Sequence, residues 1–294
     1  MPNDFSRRDF LGWAGGVALA GVGGSALLAA CGGGSNRASP TTLSPLAVTP
    51  EVVSSDLYAS PIPQRLAFTV LSATTADPDA GKPARVALAA PGGGALTPFV
   101  HATPRAKGLG TFRGIYTIDA TLGKAGSWNA LVDYAGQKLS LGFEVAKTAQ
   151  AVTIGEPAPL AASPTVAHPL GVTRVCTRTP ACPLHTKSLS TLIGKGRPVV
   201  LLFATPAYCQ THYCGQVLDA LLPLVPQYSA KADFVHCEIY QSGPTGPEIS
   251  TVTAWSLPSE PWFFAIDAEG TVRARLDGAF DQDEMRAAIA ALTA

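Results

Sequence analysis

Two cysteines, Cys209 and Cys214, stand where an apolar run gives way to a helical pattern. Val199, Val200, Leu201, Leu202 and Phe203 follow Pro198 without a polar break, which suits a strand buried on both faces. Thr205-Pro206 signals a turn. Val217, Leu218, Leu221 and Leu222 then recur at helical spacing. A cysteine at the mouth of such a helix feels the positive end of its macrodipole, which favours the thiolate, the nucleophilic form. Within an unbroken helix, residues five apart sit about 140° round and roughly 8 Å along the axis, and such cysteines cannot bridge. The two sulfurs can meet only if the residues between them are not all helical.

The chain holds six cysteines. Cys176 and Cys182 flank Pro180, and a Pro-containing loop of this length can close into a disulfide that acts as a structural staple. It would stabilise by about 2 kcal/mol. Cys237 lies in the strand-like Phe234-Val-His236-Cys237-Glu-Ile239-Tyr240 and reads as a buried, inert thiol. His101, His168 and His185 read as loop residues. Two thiolates and a histidine also suit Cu(I), and Cys209, Cys214 and His236 are the alternative copper set; the primary reading needs no cofactor.

The strand, turn, cysteine and helix around Cys209 resemble the active-site segment of thioredoxin-fold proteins. Downstream, Trp255-Ser-Leu-Pro-Ser-Glu260-Pro261 followed by Trp262–Ile266, a turn at Asp267–Gly270 and Thr271–Arg275 is similar to that family's cis-proline, strand, turn, strand pattern. Pro261 takes the cis-proline position. Ile154-Gly-Glu-Pro-Ala-Pro159 resembles the lead-in of thioredoxin-like lipoproteins, and the likeness covers about 152–294. The departure is the spacing: C-x-x-x-x-C, with His212 where the second cysteine of a C-x-x-C would stand. The resemblance implies that Cys209 sits in the loop entering the helix, so that Cys214 comes within reach. It then implies a reversible disulfide, with Cys209 attacking, Cys214 resolving, His212 steadying the thiolate and Pro261 holding a bound substrate chain. Protein thiols or disulfides are the expected partners. The layout is also similar to Sco-type copper chaperones, with one residue more between the cysteines. A static disulfide in a non-catalytic interaction protein is the remaining alternative. Pro206, where peroxiredoxin-like sites carry threonine, argues against a peroxidase.

The N-terminus reads as an address. Ser6-Arg7-Arg8-Asp-Phe10-Leu11 resembles the twin-arginine export motif, and Leu28-Ala-Ala-Cys31 resembles a lipobox that ends an apolar run. The resemblance implies a signal peptide over 1–31, lipid (palmitate among the acyl groups) on Cys31, and attachment to the outer face of the cell membrane. Residues 32–45 form a Gly- and Ser-containing tether. In such a compartment disulfides persist.

The elements that position these residues follow. Residues 46–150 read as all-β. Leu66–Leu71, Val86–Leu88, Thr111–Ala120, Gly126–Tyr134 and Lys138–Val145 are strand-like, with turns at Gly92-Gly-Gly94, Gly123 and Ala135-Gly136. Short strands at this spacing predict a β-sandwich, and Gly126-Ser-Trp-Asn-Ala-Leu-Val132 is similar to immunoglobulin-like modules. Residues 152–294 read as the α/β thioredoxin-like domain, closed by a helix over Asp281–Leu292 with an Asp cap. Pro223 and Pro226 should end or kink the helix after Cys214. Net charge is zero and 14% of residues are charged; without a basic stripe, nucleic acid is not an expected partner.

Overall fold

The computed structural model describes residues 48–73, 81–110, 115–209 and 213–294. The expected signal and tether, with Arg7, Arg8 and Cys31, lie outside the described residues, and so does His212.

Among the described residues, eight strands build the first half: β1 Val48–Val52, β2 Gln64–Ser72, β3 Ala84–Ala89, β4 Val100–His101, β5 Thr103–Arg105, β6 Ile115–Ala120, β7 Gly126–Tyr134 and β8 Gln137–Val145. They pair antiparallel in two sheets, ordered β1-β2-β6-β5 and β4-β3-β7-β8. Alternation along β7 turns Trp128, Ala130, Val132 and Tyr134 inward. Tyr134 meets Tyr116 of the opposite sheet edge-on, with ring centroids 6.0 Å apart, so the sheets share one core as a sandwich does. The β7–β8 hairpin turns through Ala135 and Gly136, at φ 50° and 88°. Two residues of positive φ give the turn whose twist matches the flanking strands. His101, expected in a loop, is exposed on β4.

The second half runs β9 Val199–Phe203, α1 Tyr213–Leu221, α2 Val225–Tyr228, β10 Asp233–Cys237, α3 Ser250–Ala254, β11 Trp262–Ile266, β12 Val272–Asp277 and α4 Gln282–Leu292. A 3-10 turn over Leu222–Leu224 separates α1 from α2. Pro223 and Pro226 sit at that break, where a missing N–H is tolerated. The sheet order is β10-β9-β11-β12, with β9 and β10 parallel and the other pairs antiparallel. A parallel β-α-β unit followed by an antiparallel hairpin and a helix is the thioredoxin-like arrangement. β9 is buried along its whole length. Val200, Leu202 and Ala204 pack with Val217, Leu218, Met285 and Ile289 on one face. Val199, Leu201 and Phe203 pack with Val235, Trp255, Trp262 and Phe264 on the other. Asp281 caps α4, as the sequence predicts, and the cap is a reciprocal box with Glu284. Among the described residues, no helix is long and apolar enough to cross a membrane.

Across the boundary expected near residue 151 the chain packs closely, Ala47–Ala294 forming one compact unit. Ala67, Leu109 and Ile115 of the sandwich join the same core cluster as Phe280, Met285 and Ile289, so β2 is buried on both faces at its centre. Arg275 Nη1 donates to Asp56 Oδ2 at 3.0 Å. Asp281 also accepts from the backbone N–H groups of Ala106 and Lys107, at 3.1 and 3.2 Å. Polar groups this well partnered make the junction a fixed interface rather than a hinge.

Candidate functional site

The first cysteine pair lies at the C-terminal end of β9. The strand delivers the chain to Ala204, and the turn through Thr205–Tyr208 carries it to Cys209. Helix α1 is described over Tyr213–Leu221. Cys209 is itself not helical, and Cys214 lies within α1. The backbone N–H of Cys214 donates to Cys209 Sγ at 3.3 Å. A helical N–H aimed at the sulfur stabilises negative charge there. Cys209 is half-buried, while Cys214 is fully buried. Burial pushes the Cys214 thiol well above its ordinary range, and the neighbouring Cys209 and Glu260 push it further in the same direction. The pair thus divides the roles by environment, one sulfur approachable and one held protonated.

Two further features frame the pair. The Glu260–Pro261 peptide is cis, as the family likeness implies. Trp262, next in the chain, pairs with Phe203, the last residue of β9, so Pro261 stands at the end of the sheet from which the Cys209 turn springs. Tyr213 of α1 is buried; burial raises its hydroxyl pKa, with Glu51 of β1 and Cys209 adding. The sandwich thus brings a charge to the helix mouth.

The second cysteine pair, Cys176 and Cys182, stands as two thiols. Cys182 N–H donates to Cys176 Sγ at 3.3 Å, and the two sulfurs face two imidazoles. Cys182 Sγ lies 3.3 Å from His236 Nδ1. His236 Nδ1 lies 3.0 Å from His185 Nε2, and His236 Nε2 lies 2.9 Å from the Ala204 carbonyl. A hydrogen bond from Cys182 holds Cys176 far below the usual thiol range, with His185 and His236 adding and desolvation opposing. Cys182 is raised correspondingly, by Cys176 and by burial. Burial also lowers His185.

His236 therefore belongs to this cluster and not to Cys209 and Cys214, which corrects the alternative copper set. Both its ring nitrogens are engaged away from that pair. His185, expected as an ordinary loop residue, is in a loop but buried at 3% exposure. The cause is the register of β10: His236 pairs with Leu202, and its backbone N–H donates to Leu184 O at 3.1 Å, which draws the 182–185 loop against the strand. The C-x-x-x-x-x-C-x-x-H spacing of Cys176, Cys182 and His185 was the available signal. Glu238, also missed, is buried and accepts from Thr177 N–H at 2.6 Å. Thr177 Oγ1 in turn accepts from Ala207 N–H at 3.0 Å, so the loop after Cys176 is tied to the turn before Cys209. Cys237 is buried in β10.

No protein-family model matches this chain, and no curated protein matches it. Solved structures with partial likeness include a protein described as thiol:disulfide interchange protein DsbE from Chlorobium tepidum, at 18% identity and TM-score 0.36, over 49% of this chain and 100% of that one. A thiol:disulfide interchange protein of the thioredoxin family from Chlorobium tepidum TLS gives 15% and 0.34, over 49% and 100%. The Lin-41 filamin domain gives 13% and 0.25, over 35% of this chain and 98% of that one. The thioredoxin-like assignment rests on the strand order described above.

Proposed function

We propose that this protein is a thiol-disulfide oxidoreductase of the extracytoplasmic membrane face, exported by the twin-arginine route and anchored through lipid on Cys31. The reading is carried by one observation: Cys209 Sγ accepts the Cys214 N–H at 3.3 Å at the mouth of α1, with Cys214 buried behind it. In the reductive direction, the Cys209 thiolate attacks one sulfur of a substrate disulfide. A mixed disulfide forms and one substrate thiolate leaves. Cys214 then loses its proton and attacks Cys209 Sγ, which releases the second substrate thiolate and leaves Cys209 and Cys214 joined. Two electrons pass to the substrate; the reverse sequence oxidises a dithiol. The approachable sulfur suits attack on the substrate and the buried one suits resolution. His212 is proposed to steady the thiolate, Pro261 to hold the substrate chain, and the immunoglobulin-like sandwich to support the helix mouth.

The test is substrate trapping with the full-length protein. Cys214→Ser should accumulate mixed disulfides with protein substrates, and Cys209→Ser should trap none and lose disulfide-reductase activity. Wild-type activity in Cys209→Ser would overturn the assignment. The anchor is tested separately: Cys31→Ser should leave the membrane fraction, and Arg7→Lys with Arg8→Lys should block export.

A further inference from the structure

We propose that Cys176, Cys182, His185 and His236 form a four-ligand zinc site. One ligand atom from each of the four lies within 4.8 Å of all the others. Around a tetrahedral Zn²⁺ with S and N bonds of about 2.3 and 2.0 Å, neighbouring ligand atoms sit roughly 3.3–3.8 Å apart. The Cys182–His236 and His236–His185 separations, 3.3 and 3.0 Å, lie at or just under that span. The longest edge has to close by about 1 Å, within reach of a loop residue such as Cys176, the most exposed of the four.

The surroundings select a ligand set rather than a chance cluster. His236 Nε2 faces the Ala204 carbonyl, an acceptor only. The ring therefore carries its proton on Nε2 and turns a lone pair on Nδ1 toward the cluster, which is the outer-shell bond that metal-binding imidazoles use. Cys176 Sγ receives the Cys182 N–H, and Cys182 Sγ receives the Leu184 N–H. Backbone donors of this kind balance thiolate charge. His185 is buried, and its Nδ1 has no hydrogen-bond partner among the described residues. Its other ring nitrogen, Nε2, faces His236 Nδ1 at 3.0 Å, on the side where the cluster's ligand atoms converge. Two thiolates with two imidazoles in a tetrahedral array favour Zn²⁺ among the divalent ions. With all four positions filled by protein the site is closed, hence structural. It would clamp the 176–185 loop to β10 and, through Ala204 and Thr177, brace the turn that presents Cys209. It would also hold Cys176 and Cys182 as bound thiolates, out of exchange with Cys209.

The test is metal loading of the reduced, metal-free full-length protein without oxygen. One Zn²⁺ per chain should bind, and Co²⁺ in its place should give the intense visible bands of tetrahedral coordination with thiolate charge transfer. Zinc-edge X-ray absorption of the wild-type protein should show a shell of two sulfurs and two nitrogens, a readout that needs no variant. Cys176→Ser and His185→Ala should each weaken binding at least tenfold, while the Cys209→Ser, Cys214→Ser double variant keeps the stoichiometry. Loss of the site in that double variant, a shell of other composition, no stoichiometric binding, or uptake of Cu(I) alone would each overturn the zinc assignment and leave the exchange chemistry at Cys209 to be judged by its own trapping experiment.

Discussion

Arg65 Nε donates to Glu284 Oε1 at 2.7 Å, joining β2 of the sandwich to the last helix across a sequence separation of 219 residues. The pair is bidentate, with Nη2 3.1 Å from Oε2. The other guanidinium donors reach the backbone carbonyls of Asp277 and Ala279. Both side chains are nearly buried, at 13% and 7% exposure. Removing one partner of such a pair leaves an uncompensated buried charge and costs about 3–5 kcal/mol. Arg65→Met should lower the urea midpoint accordingly. Trp128 in the sandwich and Trp255 and Trp262 in the second half should report one common transition. Two separated transitions in the wild-type protein would contradict the single-unit reading.

Gly278 makes the same junction from the other side. It adopts φ +70°, and a Cβ built there would stand 2.2 Å from the Val53 carbonyl oxygen. Neither atom can yield without moving backbone. Gly278→Ala should therefore cost more than the about 1–3 kcal/mol of conformational strain alone. Gly171→Ala, at φ +86° with nothing within 4 Å, isolates the strain. Equal losses of thermal stability in the two variants would show that the contact with Val53 is dispensable.

How much of this was legible in the sequence depends on where the determining contacts lie. Strands β2, β7, β8 and β9 announced themselves because their alternation or continuous burial is local. The missed strands β1, β4 and β5 are all sheet edges. They are short, and Pro50 and Pro104 interrupt two of them, which edges tolerate and pattern reading takes for loop. The helix mouth was readable because Cys209 and Cys214 are close in sequence. The second cluster was not, because His236 reaches Cys182 only through the parallel pairing of β10 with β9. A cysteine pair flanking a proline reads as a staple until the strand that brings the histidine is in place. Arg65 and Glu284 carry no local mark at all; only the packing of Ala67 against the helix layer makes them partners.

The two sulfurs at the helix mouth should differ in reactivity. Cys214 is raised by burial, by Cys209 and by Glu260, so it stays a thiol through neutral pH. It is also fully buried. Iodoacetamide at neutral pH, applied to reduced native protein, should label Cys209 at least tenfold faster than Cys214, as read by peptide mass mapping. Cys214 should label only once the chain is unfolded. Comparable native rates for the two would remove the division of roles between attack and resolution.

Cys237 links folding to alkaline pH. Its thiol is fully buried in β10, and burial pushes its pKa from 9.0 up to about 12, with Glu238 adding and Ser163 opposing. The unfolded chain begins to release this proton near pH 9, while the folded protein keeps it until about pH 12. The folded state thus binds more protons between these values. The stabilisation is complete below the lower one and is lost as pH climbs through the window. The slope from one such group is at most about 1.4 kcal/mol per pH unit. Cys214 contributes with the same sign, so the decline is apportioned by substitution. Cys237→Ala should lose less stability than wild type between about pH 8.5 and 10.5, by about 2 kcal/mol, as measured by urea midpoints at the two pH values. Lysine and tyrosine titrations cancel in that comparison. An identical decline in both proteins would mean that the buried thiol ionises no less readily in the fold than in the open chain.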